Sequence, residues 1–138
     1  MKAERFVYNT ISWIEKLNAF TTSPDVEVVV EGPKDVNSLQ DLGVKANFCF
    51  AIDLLKDLKE VGERRVYGKT FIILTDFDRE GIQLYKKLKS EITELGGKVE
   101  ELPRREYKKF GFPPMIEELS SFVRGRVECW DQMIADLI

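Results

Sequence analysis

The chain has 138 residues, 43% hydrophobic and 33% charged, with a formal charge of −3 at neutral pH. That length suits one domain over residues 1–138 with one core, and no segment approaches the roughly 20 apolar residues that span a bilayer. Histidine is absent, which removes the commonest metal ligand and the commonest general base, and the mild acidity argues against tight, indiscriminate binding to nucleic acid while leaving room for a local basic face.

The N-terminus MKAERFVYNT lacks the uninterrupted apolar core of a signal peptide. Cys49 and Cys129 are far apart and form no CxxC pair, so zinc and redox motifs have no basis and a reduced, cytoplasmic setting is expected. Phe6, Val7, Ile11, Trp13, Ile14, Leu17 and Phe20 recur at three- and four-residue steps and predict a helix over 3–20. Val26 to Val30 is short, β-branched and nearly all apolar, as a central parallel strand covered on both faces must be, and Glu31-Gly32 closes it. Pro33 then opens a helix that ends before Gly43. A second strand is expected at 46–49, a helix at 51–62, a charged loop at 63–69 and a third strand at 71–74. A long helix striped by Ile82, Tyr85, Leu88 and Ile92 ends at Gly96-Gly97, and a fourth strand is expected at 98–102. The stripe of Met115, Ile116, Leu119, Phe122 and Val123 predicts further helix over 113–138, with Gly125 as a break. Strands alternating with helices imply right-handed crossovers, a parallel sheet and a three-layer α/β sandwich.

In such sheets ligands gather outside the carboxyl ends of the strands. Asp76 and Asp78 follow the third strand two residues apart, so in extended chain both carboxylates face the same side. Glu31 caps the first strand and joins them if the two strands are neighbours. Three carboxylates and no histidine suit magnesium, which takes one or two carboxylates plus waters and phosphate oxygens, and manganese could substitute. The competing reading is that each acid merely caps a helix or turns a loop.

VVVEGPKD at 28–35, followed by IILTDFDREG at 72–81, resembles the Toprim domain shared by type IA and type II topoisomerases, bacterial-type primases and several nucleases. The resemblance covers roughly residues 25–102, and the layout is similar to the small stand-alone, primase-like Toprim proteins of archaea and bacteria. It implies a Rossmann-like fold with a four-stranded parallel sheet of order 2-1-3-4. It also implies Glu31 as general acid/base, and Asp76 and Asp78 as carboxylates for Mg2+. Phe77 stands where the topoisomerases carry proline, and Ile82 where type IA enzymes carry another acid. No segment is available for a topoisomerase's tyrosine domain or a primase's zinc domain, so neither complete activity is expected.

Lys34 and Arg79 flank the acids, where a phosphate would need countercharge. Arg104, Arg105, Lys108 and Lys109, interleaved with Tyr107 and Phe110, suit a nucleic-acid backbone and an unpaired base, although a solvated charge run has the same composition. Glu80 reads as first-turn helix charge, Trp13 and Trp130 as core or an intersubunit contact, and the four tyrosines as packing. The expected function is a magnesium-dependent nuclease or related phosphotransferase acting on RNA or DNA. The alternative is a non-catalytic metal- and nucleic-acid- or nucleotide-binding module of a processing complex. A second copy or a processing-complex protein is the partner class left open beside nucleic acid, and no membrane is expected.

Overall fold

The computed structural model describes residues 2–137, with only the backbone of Lys2 and Leu137. Four short strands, β1 (Val26–Val30), β2 (Asn47–Phe50), β3 (Thr70–Ile73) and β4 (Lys98–Val99), form one sheet in the order β2-β1-β3-β4. Every pairing is parallel, with Val29 opposite both Cys49 and Ile73. The helices between them are α1 (Lys2–Phe20), α2 (Pro33–Asp41), α3 (Ala51–Val61), α4 (Arg79–Glu94) and α5 (Leu102–Lys109). After α5 come a 3-10 turn at Ile116–Glu118, then α6 (Leu119–Arg124) and α7 (Trp130–Leu137).

The period of two in the strands builds two cores. Val28, Val30, Ile72 and Leu74 face one side, where Trp13, Ile14 and Leu17 of α1, Leu39 of α2 and Tyr107 of α5 cover them. Val29, Phe71 and Ile73 face the other, against Leu54 and Leu58 of α3 and Leu88 and Ile92 of α4. Both tryptophans lie in the first core, and the indole N–H of Trp13 donates to the Pro103 carbonyl at 2.8 Å. The sheet order matches the sequence expectation. The fourth strand is shorter than expected, because Pro103, whose fixed φ suits a first helical turn, starts α5 already at Leu102. The charged loop at 63–69 contains a 3-10 turn at Gly62–Arg65, and Gly125 caps α6 and separates it from α7.

One ion pair ties this frame together. Glu27, the polar residue of β1, accepts two hydrogen bonds from the Arg65 guanidinium, both at 2.7 Å, and that guanidinium also lies over the Phe71 ring. Burial opposes ionisation of Glu27, yet the Arg65 hydrogen bonds and charge win and hold the carboxyl below its ordinary range. The pair therefore contributes stability above the ordinary carboxylate pKa, and loses it as pH falls through the lowered one. Arg65→Ala, which removes both short hydrogen bonds and leaves half-buried Glu27 only its longer 3.8 Å ion pair with Lys69, should cost about 2 kcal/mol at neutral pH. Urea denaturation at a series of pH values should show the gap from wild type closing as Glu27 protonates.

Candidate metal centre at the carboxyl end of the sheet

The site begins with the register of β1 against β3. The Leu74 N–H donates to the Val29 carbonyl at 2.7 Å, extending the pairing one residue beyond β3 and carrying both chains out of the sheet side by side. Two residues later the Glu31 carboxylate reaches across, and its Oε2 accepts the Asp76 N–H at 2.7 Å. Asp76 is only 8% exposed, and its Oδ1 accepts the Ile116 N–H at 2.9 Å from the C-terminal segment. Asp78 is solvent-facing and caps α4, with Oδ1 accepting the Gly81 N–H at 2.8 Å. Each carboxylate is thus aimed by one backbone donor, which leaves its second oxygen outside this backbone network.

The turn from Thr75 to Gly81 is tight. The Thr75 hydroxyl donates to the Gly81 carbonyl at 2.7 Å, and a Cβ on Gly81 would lie 2.1 Å from the Asp76 carbonyl oxygen. Only glycine allows α4 to start so close to the acid-bearing loop.

Two residues complete the arrangement, one that the sequence does not single out and one that it assigns to a different role. Asp35 is buried, and its Oδ2 accepts the N–H groups of both Glu31 and Gly32 at 3.1 Å, so it fixes the backbone that carries Glu31. Its signal was an acid in the first turn of a helix opened by Gly-Pro. Arg104 is the other. Grouped in sequence with solvent-facing cations, it is instead 7% exposed and donates to the carbonyls of Ile73, Thr75 and Asp76. Burial pulls its guanidinium down to about 10, and it stays cationic at neutral pH behind Asp76 and Glu31. It holds the strand end instead of facing solvent as a phosphate contact would, while Arg105, Lys108 and Lys109 are exposed. Tyr107 and Phe110 likewise turn inward to the first core rather than outward to a base. Lys34 in the first turn of α2, and Arg79 and Glu80 in that of α4, are exposed near the acids.

Burial is the main force raising the pKa of Glu31. The Asp76 N–H opposes it, and the charges of Asp76, Asp78 and Asp35 add to it. Asp76 is raised in the same way, first by burial, against the Ile116 N–H, and then by Asp78. No described lysine or arginine forms an ion pair with Glu31, Asp35, Asp76 or Asp78. Glu31 also lines an open groove of about 430 Å³ between α3 and α4.

The Toprim domain family model matches residues 26–106, which span the whole sheet, both acid-bearing strand ends and most of α5. The chain belongs to the Toprim domain family. Among similar proteins, a UPF0292 protein of Methanocaldococcus jannaschii is 34% identical over 134 residues, covering 92% of this chain and 99% of its own. A UPF0292 protein of Pyrococcus abyssi is 40% identical over 120 residues, covering 85% and 86% respectively. A solved structure of a putative protein from Aquifex aeolicus superposes with a TM-score of 0.59 at 26% identity, over 78% of this chain and 94% of its own.

Toprim domains generally hold Mg2+ through acidic residues. Among the described residues no three His, Cys, Asp or Glu side chains converge as a ready-made cage. The donors nevertheless fit the ion. Glu31 and Asp76 meet at one strand-end junction with Asp78 at its rim, the donor atoms are all oxygen, and no ion pair offsets them. One or two carboxylates completed by water are what magnesium accepts.

Because ionised Asp76 is disfavoured in the folded apo-protein, its raised pKa lowers stability as pH rises through it. Asp76→Asn keeps an oxygen for the Ile116 N–H and should raise Tm in chelator at neutral pH. The gain should vanish as pH falls through the carboxylate range, as read by thermal melts of both proteins across that range.

Proposed function

We propose that this Toprim protein is a magnesium-dependent phosphodiester hydrolase or phosphotransferase acting on nucleic acid, with Glu31 as the proton carrier and Asp76 and Asp78 as the metal carboxylates. The observation that carries this reading is the bond from the Asp76 N–H to Glu31 Oε2. It brings a proton-transfer group and a ligand group to one point at the ends of β1 and β3. The N-termini of α2 and α4 lie next to these acids, and the positive ends of their helix dipoles favour an anion there. Lys34 and Arg79, exposed on those first turns, are the countercharge for a phosphate.

What a bound magnesium ion supplies is positive charge on the phosphodiester oxygens. The chain's own residues do the rest. Asp35 and the Asp76 N–H hold Glu31 in one orientation, so its carboxylate takes a proton from the attacking hydroxyl and returns it to the leaving oxygen. The Ile116 N–H and the Gly81 N–H fix the directions of Asp76 and Asp78 in the same way.

One observation favours the alternative of a binding module that cuts nothing. Glu31 and Asp76 each anchor a backbone N–H, a structural task that would retain both acids without catalysis. Cleavage assays separate the two readings. Labelled single- and double-stranded RNA and DNA should be cut with magnesium or manganese and left intact in chelator. Glu31→Gln should lower cleavage by about 10²-fold or more while keeping affinity near wild type. Cleavage at the wild-type rate in Glu31→Gln would remove Glu31 from the mechanism, and no cleavage by wild type on any of these substrates would favour the binding module.

A further inference from the structure

An open groove of about 570 Å³, lined by Phe77 among others, runs between α4 and α5. Its lining surface is mostly apolar. Phe77 stacks on Tyr107 at 4.9 Å with the rings 5° from parallel, and the Arg104 guanidinium lies over both the Phe77 and Tyr85 rings, at 4.2 and 4.4 Å. Tyr85 is clamped in turn by its hydroxyl, which donates to Glu101. Ile82, 37% exposed, completes the floor.

The rim has the opposite character. Lys86 from α4 and Arg105, Lys108 and Lys109 from α5 line the groove, all exposed, and among the described residues none of them forms an ion pair or a side-chain hydrogen bond. The one acid in the groove, Glu101, is already engaged by Tyr85 and Lys89. In a chain of net charge −3, four unpaired cations around a preassembled stack of planar groups form a local basic face with an apolar centre. Free lysines alone would read as a solvated surface. An aromatic and aliphatic floor beneath them is what a planar base with a phosphate on each side would meet.

The groove is also tied to the acidic site. Phe77 lies between Asp76 and Asp78 in the chain, its N–H donates to the Pro114 carbonyl at 2.7 Å, and Arg104 binds the Asp76 carbonyl beneath it. The groove and the acids thus share the loop from Asp76 to Asp78, along which a strand bound at the acids would pass. We infer that the α4–α5 groove is a subsite for an unpaired nucleobase, so that the substrate is single-stranded nucleic acid, with rim cations on the flanking phosphates. A paired base could not enter, because its faces and edge are occupied within the duplex. The inference rests on the nucleic-acid reading above, but the groove does not require the metal.

The test is fluorescence anisotropy in chelator with three labelled 12-nucleotide probes: a single strand of thymidines or uridines, its abasic counterpart with the same phosphates, and a duplex. The base-bearing strand should bind about 10-fold or more tightly than the abasic strand, the effect of stacking one base. It should also bind more tightly than the duplex. Ile82→Asp should erase the base-over-abasic preference. Lys86→Ala/Lys108→Ala should weaken both single strands alike and flatten the salt dependence by about two phosphate contacts. These residues are exposed, so circular dichroism should show the variants folded.

Equal binding of base-bearing and abasic strands, or a preference for duplex, would overturn the subsite. Displacement of the single strand by poly-glutamate at equal charge would overturn it too, assigning the rim to an acidic protein partner. Base-dependent binding with no cleavage in magnesium would uphold the subsite and remove the enzymatic reading. Cleavage without base dependence would do the reverse.

Discussion

The hydrogen bond from the Asp76 N–H to Glu31 Oε2 is where the two halves of the molecule meet, and the rest of the architecture bears on it. It requires β1 and β3 to be adjacent, parallel and in the register that sets Val29 against Ile73. A one-residue slip would turn Val28 and Val29 to the wrong cores and swing Glu31 away from the loop. The crossover through α2, β2 and α3 supplies the adjacency, and packing on both faces locks the register. The acids are thus positioned by hydrophobic burial around a sheet whose central strands carry only Thr70, at the start of β3, and Glu27, which Arg65 and Lys69 pair, as polar residues.

Electrostatics at this junction run against the folded state in the absence of a cation. Glu31, Asp35 and Asp76 all have raised pKa values, and burial is the leading cause for each. Backbone donors offset part of that cost. Arg104 contributes positive charge from beneath, but it is bonded to carbonyls and paired with none of the carboxylates. What remains is a fixed group of carboxylates with unbalanced charge at a parallel sheet's carboxyl edge, a setting that suits a divalent ion.

Much of this was legible in the chain. The apolar runs at 26–30 and 71–74 and the acids that follow them implied the central strands, the strand order came from the Toprim resemblance, and the structure has that order. Segment 102–109 was harder. Read by composition, RREYKK looks like a uniform basic stretch, but once Pro103 starts a helix the period of 3.6 sorts it. Pro103, Arg104 and Tyr107 then face inward, and Arg105, Lys108 and Lys109 face outward. Arg104 was misgrouped because charge usually signals solvent, and the carbonyls that receive it lie about thirty residues earlier in the chain. Asp35 was passed over because its role is to hold Glu31's backbone, a contact no spacing rule encodes. The Ile116 N–H that orients Asp76 comes from forty residues downstream and could be found only in three dimensions.

The central claim is that Glu31, Asp76 and Asp78 form one divalent-metal centre. Crystals soaked in manganese and measured at its absorption edge test it most directly. A single strong anomalous peak is expected at coordination distance from Asp76 and at least one of Glu31 and Asp78, absent in crystals of the Asp76→Asn/Asp78→Asn variant. A peak held by other residues, or none at saturating manganese with these carboxylates still bonded only to backbone N–H groups, would contradict it.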